Sequence, residues 1–330
     1  MLDVQPVSLE IDPESECERL VVGLRQAVRR TLRRSGAVLG ISGGVDSSVV
    51  LALCVRAFGA ERLTAVMMPE KDSDSESESL ARQLAGHFGV EAVLEDITPI
   101  LEGFGCYPRR DQAIQRLFPE YDPGKGSRCK ISLPHNVLDD DTLNYFTLTV
   151  ITPGGEEKSQ RLPLGEYLQV VAASNIKQRA RMAMLYYHAE LRNFAVIGTA
   201  NRDEHAQGFF VKYGDGGVDV QPIAHLYKTQ VCQLAAYLDV PEEIRRRPPA
   251  TDTYSGHSTQ EEFFFRLPFE IMDPIWEALE RGLPPARIAS QLGLTKSQVQ
   301  RAYDDLRRKL RTTGYLRMPP IFLDGENRPR

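Results

Sequence analysis

The string Leu39-Gly-Ile-Ser-Gly-Gly-Val-Asp-Ser-Ser48 constrains this chain more than any other stretch of it. The apolar run Ala37 to Ile41 reads as a short buried strand, and Val45 to Phe58 as a helix that is apolar nearly all round. Ser42, Gly43 and Gly44 stand between them. A strand that turns through glycines into a helix N-terminus points unpaired backbone N–H groups at one place, with the helix dipole behind them, and so makes an anion site. The two glycines let backbone close on phosphate oxygens without a Cβ in the way. Ser42, Ser47 and Ser48 add hydroxyls, and Asp46, a carboxylate beside phosphates, makes sense as a ligand for Mg²⁺. An ordinary serine-capped turn would account for a bare Gly-Gly pair, but not for the whole string after an apolar strand. The lysine of the G-x-x-x-x-G-K-[ST] loop is missing, which argues against an ordinary ATPase or GTPase.

Around this turn the chain alternates strand and helix. Residues 11–34 read as an amphipathic helix with Leu20, Val21, Leu24, Ala27, Val28 and Leu32 on one face. The arginines on its other face read as a solvated surface or a dimer contact. Leu63 to Met68 is a second strand stopped by Pro69, Glu70 to Ser79 an acidic loop, residues 79–88 a helix closed by Gly89, and Glu91 to Ile97 a third strand. Such βαβ spacing predicts an α/β fold with a doubly wound parallel sheet, and ligands on such sheets sit at the carboxyl ends of strands, where Ser42 lies. Periodicity fails from about 103 to 165, which reads as an inserted loop carrying a β-hairpin: Asn144 to Ile151, a turn at Pro153-Gly154-Gly155, and Lys158 to Leu162. A loop of that size is a candidate lid or binding element.

A second informative block opens with a long helix from Gly165 to Glu190 and a fourth strand from Phe194 to Ile197. Thr199 and Glu204 follow that strand end, where a hydroxyl can meet a nucleotide and a carboxylate a metal. Lys212 and Lys228 can neutralise phosphate charge, and Asp219 can accept from a ligand hydroxyl or amide. Taken singly, each reads as a surface group in a glycine-rich turn; together with the loop at 42 they make a site.

Ser42-Gly-Gly-Val-Asp-Ser47 resembles the pyrophosphate loop of the ATP pyrophosphatases, which cut ATP between the α and β phosphates to adenylate a substrate. Further strings narrow the likeness: Asn175-Ile-Lys-Gln-Arg-Ala-Arg-Met182, Gly198-Thr-x-Asn-x-x-Glu204, Lys212-Tyr-Gly-Asp-Gly-Gly-x-Asp219 and Leu226-x-Lys228. In that order they resemble the ammonia-dependent NAD synthetase family over roughly residues 15–100 and 165–250. The resemblance implies a Rossmann-like fold of the adenine nucleotide α-hydrolase type, with residues 1–270 as the ATP pyrophosphatase domain and 271–330 as a C-terminal helical segment packed on it. It implies that Ser42, Gly43, Gly44, Val45, Asp46, Ser47 and Ser48 hold the pyrophosphate end of ATP, with Thr199 and Lys228 also on ATP. Asp46 and Glu204 would bind Mg²⁺, Asp46 and Lys228 would be the catalytic pair, and Arg179, Lys212 and Asp219 would bind deamido-NAD. Ammonia would arrive free or from a separate glutaminase, since neither a nucleophilic cysteine nor a nitrilase domain precedes the loop. The likeness also implies a homodimer.

Three departures bear on the carboxylate substrate. The family's Pro-Ser/Thr-Ala stretch reads Pro248-Pro-Ala-Thr-Asp-Thr-Tyr254 here, its C-terminal His-Lys pair is absent from Thr312 to Pro320, and the 103–165 segment is additional. The same adenylation and amidation on a different carboxylate therefore stands as an alternative. Ile288 to Thr295 followed by a basic helix has the pattern of a helix-turn-helix, which would make a DNA-binding or scaffold protein of the fold. The net charge of −5 and the intact loop, Glu204 and Lys228 speak against that reading and against nucleic acid as a partner. Five scattered cysteines without a C-x-x-C pair fit a reducing compartment. With no run of 18 apolar residues and no signal peptide, the expected location is the cytoplasm, away from membranes.

Overall fold

The apolar runs become strands whose alternate side chains enter two different cores. In the computed structural model, which describes residues 6–133, 136–139, 145–251 and 253–323, the strands are β1 (Ala37–Gly40), β2 (Leu63–Met67), β3 (Ala92–Leu94), β4 (Arg128–Ser132), β5 (Thr147–Ile151), β6 (Glu157–Arg161) and β7 (Ala195–Val196). A parallel sheet runs β3-β2-β1-β7, and β4-β5-β6 form a separate antiparallel sheet. Ala37, Leu39, Leu63, Ala65, Met67 and Ala195 point into the larger core. Val38, Val66 and Val196 point the other way. Burial on both faces is why these strands read as continuous apolar runs.

Helices α1 (Pro13–Arg25), α2 (Val45–Phe58) and α3 (Ser75–His87) pack into the larger core. α4 (Thr98–Gly103), α5 (Cys106–Gln115) and the 29-residue α6 (Leu164–Arg192) lie on the opposite side. α7 (Arg202–Gln207) follows β7, and α8 (Lys228–Tyr237) and α9 (Glu242–Arg246) return to the first face. α10 (Phe269–Glu280), α11 (Pro285–Leu292) and α12 (Lys296–Thr312) bury Trp276 and Tyr303 in a core of their own that also takes Tyr227. The helix-turn-helix pattern is thus α11 and α12, with Ile288, Val299, Ala302 and Leu306 turned inward. β1 pairs with β2 on one side and β7 on the other. The chain changes direction across the sheet there, so the end of β1 is the switch point where α/β sheets bind ligands.

Several local expectations shift. The 11–34 helix is α1 followed by a π-helical turn over Gln26–Thr31. The acidic loop after β2 is a loop only as far as Asp74, whose side chain accepts from the Glu76 amide and starts α3. The 103–165 segment contains more order than a hairpin. Its β5 and β6 pair as expected, Thr147 opposite Arg161, while Asn144 lies outside the described residues. α5 escapes a periodicity reading because its buried face is Cys106, Tyr107, Arg110, Ala113 and Ile114, an apolar stripe with an arginine in the middle.

That arginine belongs to a buried charge network under the loop after β2. Lys177 of α6 donates to Glu70 Oε1 at 2.8 Å, Asp72 Oδ2 at 2.8 Å and the Thr253 carbonyl at 2.9 Å, which uses all three ammonium protons. Arg110 also pairs with Asp72, and the Tyr107 hydroxyl donates to Glu70 at 2.8 Å. Burial alone would raise the Asp72 carboxyl, but Lys177 and Arg110 more than offset it and hold it below its ordinary value. Removing Lys177 would leave the buried Glu70 without its cation and Asp72 with Arg110 alone. Lys177→Ala should therefore cost about 3–5 kcal/mol of stability, measured by urea unfolding.

Candidate active site

The turn after β1 closes tightly. Gly43 has φ +72°, and a Cβ there would come within 2.8 Å of the Leu80 Cβ and 2.9 Å of the Ser77 carbonyl oxygen. Only glycine suits this position, for conformation and for the nearness of α3. Gly44 is the N-cap of α2, and its amide donates to the Ser42 hydroxyl at 3.3 Å. Ser47 and Ser48 turn their hydroxyls back to the Gly44 carbonyl, at 3.0 and 2.8 Å. They brace the turn from inside, and Ser42 is the exposed hydroxyl of the three.

Asp46, in the first turn of α2, meets the second half of the chain. Its Oδ1 accepts from Asn201 Nδ2 at 2.9 Å, and its Oδ2 pairs with the ammonium of Lys228. Asn201 is fully buried as the N-cap of α7: its side chain accepts from the Glu204 amide at 3.0 Å, and Glu204 Oε2 accepts from the Asn201 amide at 3.2 Å. This capping box turns the Asn-x-x-Glu spacing into geometry, because it fixes the Glu204 carboxylate beside Asp46. Burial, and then the Asp46 charge, push the Glu204 carboxyl up to about 8. Lys228, 3% exposed, opens α8. Burial disfavours its charge, but Asp46 and Glu204 outweigh that and keep the ammonium above its ordinary value.

Further side chains, not singled out from sequence, hold this arrangement. Asp203 Oδ2 accepts from the Lys228 amide at 2.8 Å, and Asp273 Oδ2 accepts from the Thr229 amide and hydroxyl at 3.0 and 2.7 Å, so two acids seat the start of α8. Gln260 donates to Glu204 Oε1 at 3.1 Å. The Asn-x-x-Glu spacing of a capping box is the signal that could have found Asn201; nothing in the sequence marks Gln260.

Thr199 follows the short β7, half-buried, at the same end of the sheet. Arg179, Lys212 and Asp219 form a different group, built against α6. Arg179 Nη2 donates to the Lys212 carbonyl at 3.4 Å, and Lys212 Nζ donates to the carbonyls of Tyr315 and Met318 at 3.1 and 2.8 Å. Asp219 accepts from the Tyr186 hydroxyl at 3.1 Å and the Val196 amide at 2.8 Å. The seven candidate positions from 42 to 48 thus gather with Glu204 and Lys228, while the three positions expected on the dinucleotide side gather along α6.

Comparison with known proteins bears on this arrangement. The family model described as NAD synthase matches residues 16–116 and 148–312. The chain belongs to the NAD synthase family. The family match leaves residues 117–147 unspanned, a window inside the 103–165 segment and containing β4. A relative named NH(3)-dependent NAD(+) synthetase from Rhizobium meliloti (strain 1021) is 51% identical over 95% of this chain and 92% of its own length. One of the same name from Mesorhizobium japonicum is 48% identical over 95% of this chain and 98% of its own length. Among solved structures, an NH3-dependent NAD synthetase from Campylobacter jejuni superposes with a TM-score of 0.60 at 22% identity, covering 94% of this chain and all of that one. At that identity it supports the fold: an α/β architecture with a parallel sheet.

The raised Glu204 carboxyl has a consequence for stability. The unfolded chain ionises this group near 4.5 and the folded chain near 8, so in that window the unfolded state has released a proton that the folded state keeps. Stability is then lost as pH rises from about 4.5 to 8. Without metal or nucleotide, Glu204→Gln should be more stable than the parent by roughly 1–2 kcal/mol at pH 8 after allowance for solvent screening. The gap should close by pH 5, as followed by thermal unfolding.

Proposed function

We propose that this protein adenylates the carboxylate of deamido-NAD with ATP and aminates the product with ammonia to give NAD. The observation that carries the reading is the meeting of Asp46, Asn201, Glu204 and Lys228 at the glycine turn after β1, in a chain of the NAD synthase family. In the first step a carboxylate oxygen attacks the α-phosphorus and the α–β bridging oxygen leaves with pyrophosphate. In the second, ammonia nitrogen attacks the acyl carbon, AMP leaves and a proton is lost.

The residues present suit Mg²⁺. The Asp46 carboxylate lies close enough to raise the Glu204 carboxyl, and the Lys228 ammonium already stands beside both as a cation. Among the described residues no third acid, His or Cys completes a cage, which is the pattern of an ion that keeps waters and substrate phosphates as its other ligands. Mg²⁺ held by Asp46 and Glu204 would screen the charge that builds on the leaving pyrophosphate. The turn from Ser42 to Ser48 and the N-terminus of α2 hold phosphate oxygens, Thr199 touches ATP, and Lys228 brings its charge against the pyrophosphate end. Arg179, Lys212 and Asp219 bind the deamido-NAD side, Lys212 once freed from the carbonyls it now holds. These roles make the work of the protein one of positioning and electrostatics.

Ammonia reaches the site free or from a separate glutaminase, in the cytoplasm. Among the described residues no helix is long and apolar enough to cross a membrane. Tyr187 and Leu191, about one turn apart near the end of α6, are exposed apolar groups, and we read them as part of the surface of a homodimer.

With Mg²⁺, ATP, ammonium and deamido-NAD the products should be NAD, AMP and pyrophosphate; ADP and orthophosphate as primary products would overturn the assignment. Asp46→Asn and Glu204→Gln should each lower turnover by roughly 10² or more. Glutamine supplied in place of ammonium to the purified chain should give no NAD.

A further inference from the structure

Residues 249–266 lie between the site and the antiparallel sheet. They fold back on themselves: Ala250 bridges Thr259, the Thr251 amide donates to the Ser258 carbonyl at 3.1 Å, and the Gln260 amide to the Pro249 carbonyl at 2.9 Å. The outer flank of this hairpin is held by β4. The Gly256 amide donates to the Cys129 carbonyl at 2.8 Å, the Cys129 amide to the Ser255 hydroxyl at 3.2 Å, and the Leu133 amide to the Glu262 carbonyl at 3.1 Å. Tyr254 and Phe263 pack in one apolar cluster with Cys129 and Ile131. The fit at Gly256 is close: a Cβ there would lie 2.9 Å from the Cys129 carbonyl oxygen and 3.0 Å from its carbon.

The inner flank ends on the site. Gln260 Nε2 donates to Glu204 Oε1, while the buried Gln260 Oε1 has no hydrogen-bond partner among the described residues. The other Glu204 oxygen is taken by the Asn201 amide. A carboxylate with a donor on each oxygen has its rotation and its free lone pairs fixed. A glutamine side chain is itself flexible and fixes nothing unless its backbone is held. Here the Gln260 amide is held by the Pro249 carbonyl across the hairpin, and the hairpin in turn is held by a strand of the 117–147 stretch, which the family match does not span, while the hairpin itself lies within the matched residues.

We propose that Gln260 is a positioning residue for Glu204 and that β4 is the clamp that keeps it there. The altered stretch after Pro248 and the additional segment then form one unit with one task. This rests on the reading of Glu204 as the carboxylate on the Mg²⁺ and pyrophosphate side.

The test uses the full chain, with α,β-methylene-ATP as a probe that cannot be cleaved between the α and β phosphates. Its binding is titrated by calorimetry at several Mg²⁺ concentrations for the parent, Gln260→Ala, Gly256→Ala, the double variant and Glu204→Gln. Gln260→Ala and Gly256→Ala should each weaken Mg²⁺-dependent binding about 10-fold, the lower end for loss of a group that orients a metal ligand. In turnover, the KM for ATP should rise at low Mg²⁺ and recover at high Mg²⁺, with kcat little changed. The double variant should be no worse than Gln260→Ala alone, because the clamp acts through Gln260. Parent-like binding in Gln260→Ala and Gly256→Ala, with Glu204→Gln impaired, would overturn the clamp and leave the site reading intact. Additive losses in the double variant would overturn the route through Gln260. Parent-like binding and turnover in Glu204→Gln would overturn the site reading itself. Should Gly256→Ala fail to fold, Ser255→Ala, which removes only the hydroxyl on the Cys129 amide, takes its place with the same expectations.

Discussion

The charge contact between Asp46 and Lys228 joins the two halves of this molecule, and most of the site follows from it. One partner sits in the first turn after the glycine loop, the other opens α8, and they are 182 residues apart in sequence. Their meeting requires β7 to lie against β1, since that pairing brings the turns of the late chain to the end of the first strand. It also requires an exact start for α8, which Asp203 and Asp273 supply by taking its first amides. A buried lysine beside two carboxylates balances charge that burial would otherwise make costly.

The glycine turn was legible because a backbone that must approach an anion leaves a composition that nothing else explains. Its strands were legible because both faces are buried. The inner structure of 103–165 was not, and the reasons are particular. Arg110 interrupts the buried stripe of α5, and β4 alternates Arg128 and Lys130 with Cys129 and Ile131 over only five residues between glycine- and proline-rich stretches, too short a run to stand out. The hairpin of β5 and β6 showed through because the run from Asn144 to Ile151 alternates and Pro153-Gly154-Gly155 marks the turn.

Within the site, the separation is between groups that act through type and groups that act through place. Asp46, Glu204 and Lys228 could be picked out because carboxylates and a lysine near phosphate have few other uses. Asn201 could have been found only through a spacing, and Gln260 reaches Glu204 through a fold that the order of residues does not announce. Arg179, Lys212 and Asp219 were grouped by motif; Arg179 meets the Lys212 carbonyl, Lys212 is tied to the chain near Tyr315, and Asp219 sits further along α6 against Tyr186. Ion pairs such as those of Lys177 depend in the same way on elements far apart in sequence, here 107 and 105 residues from its carboxylates.

The distance between the halves of the site has a consequence for how the chain acquires its ligand. During synthesis the glycine turn emerges long before the asparagine and lysine that complete it, because 155 and 182 residues separate Asp46 from Asn201 and Lys228. Contacts of such high sequence separation form late and slowly. A half-made chain therefore carries the glycine turn without Asn201 and Lys228 beside Asp46, and on the proposed site the grip on nucleotide is complete only after β7 has docked. Occupancy then draws the population toward the finished molecule by mass action alone, and a nucleotide-replete cell would hold this enzyme folded with the very substrate it consumes.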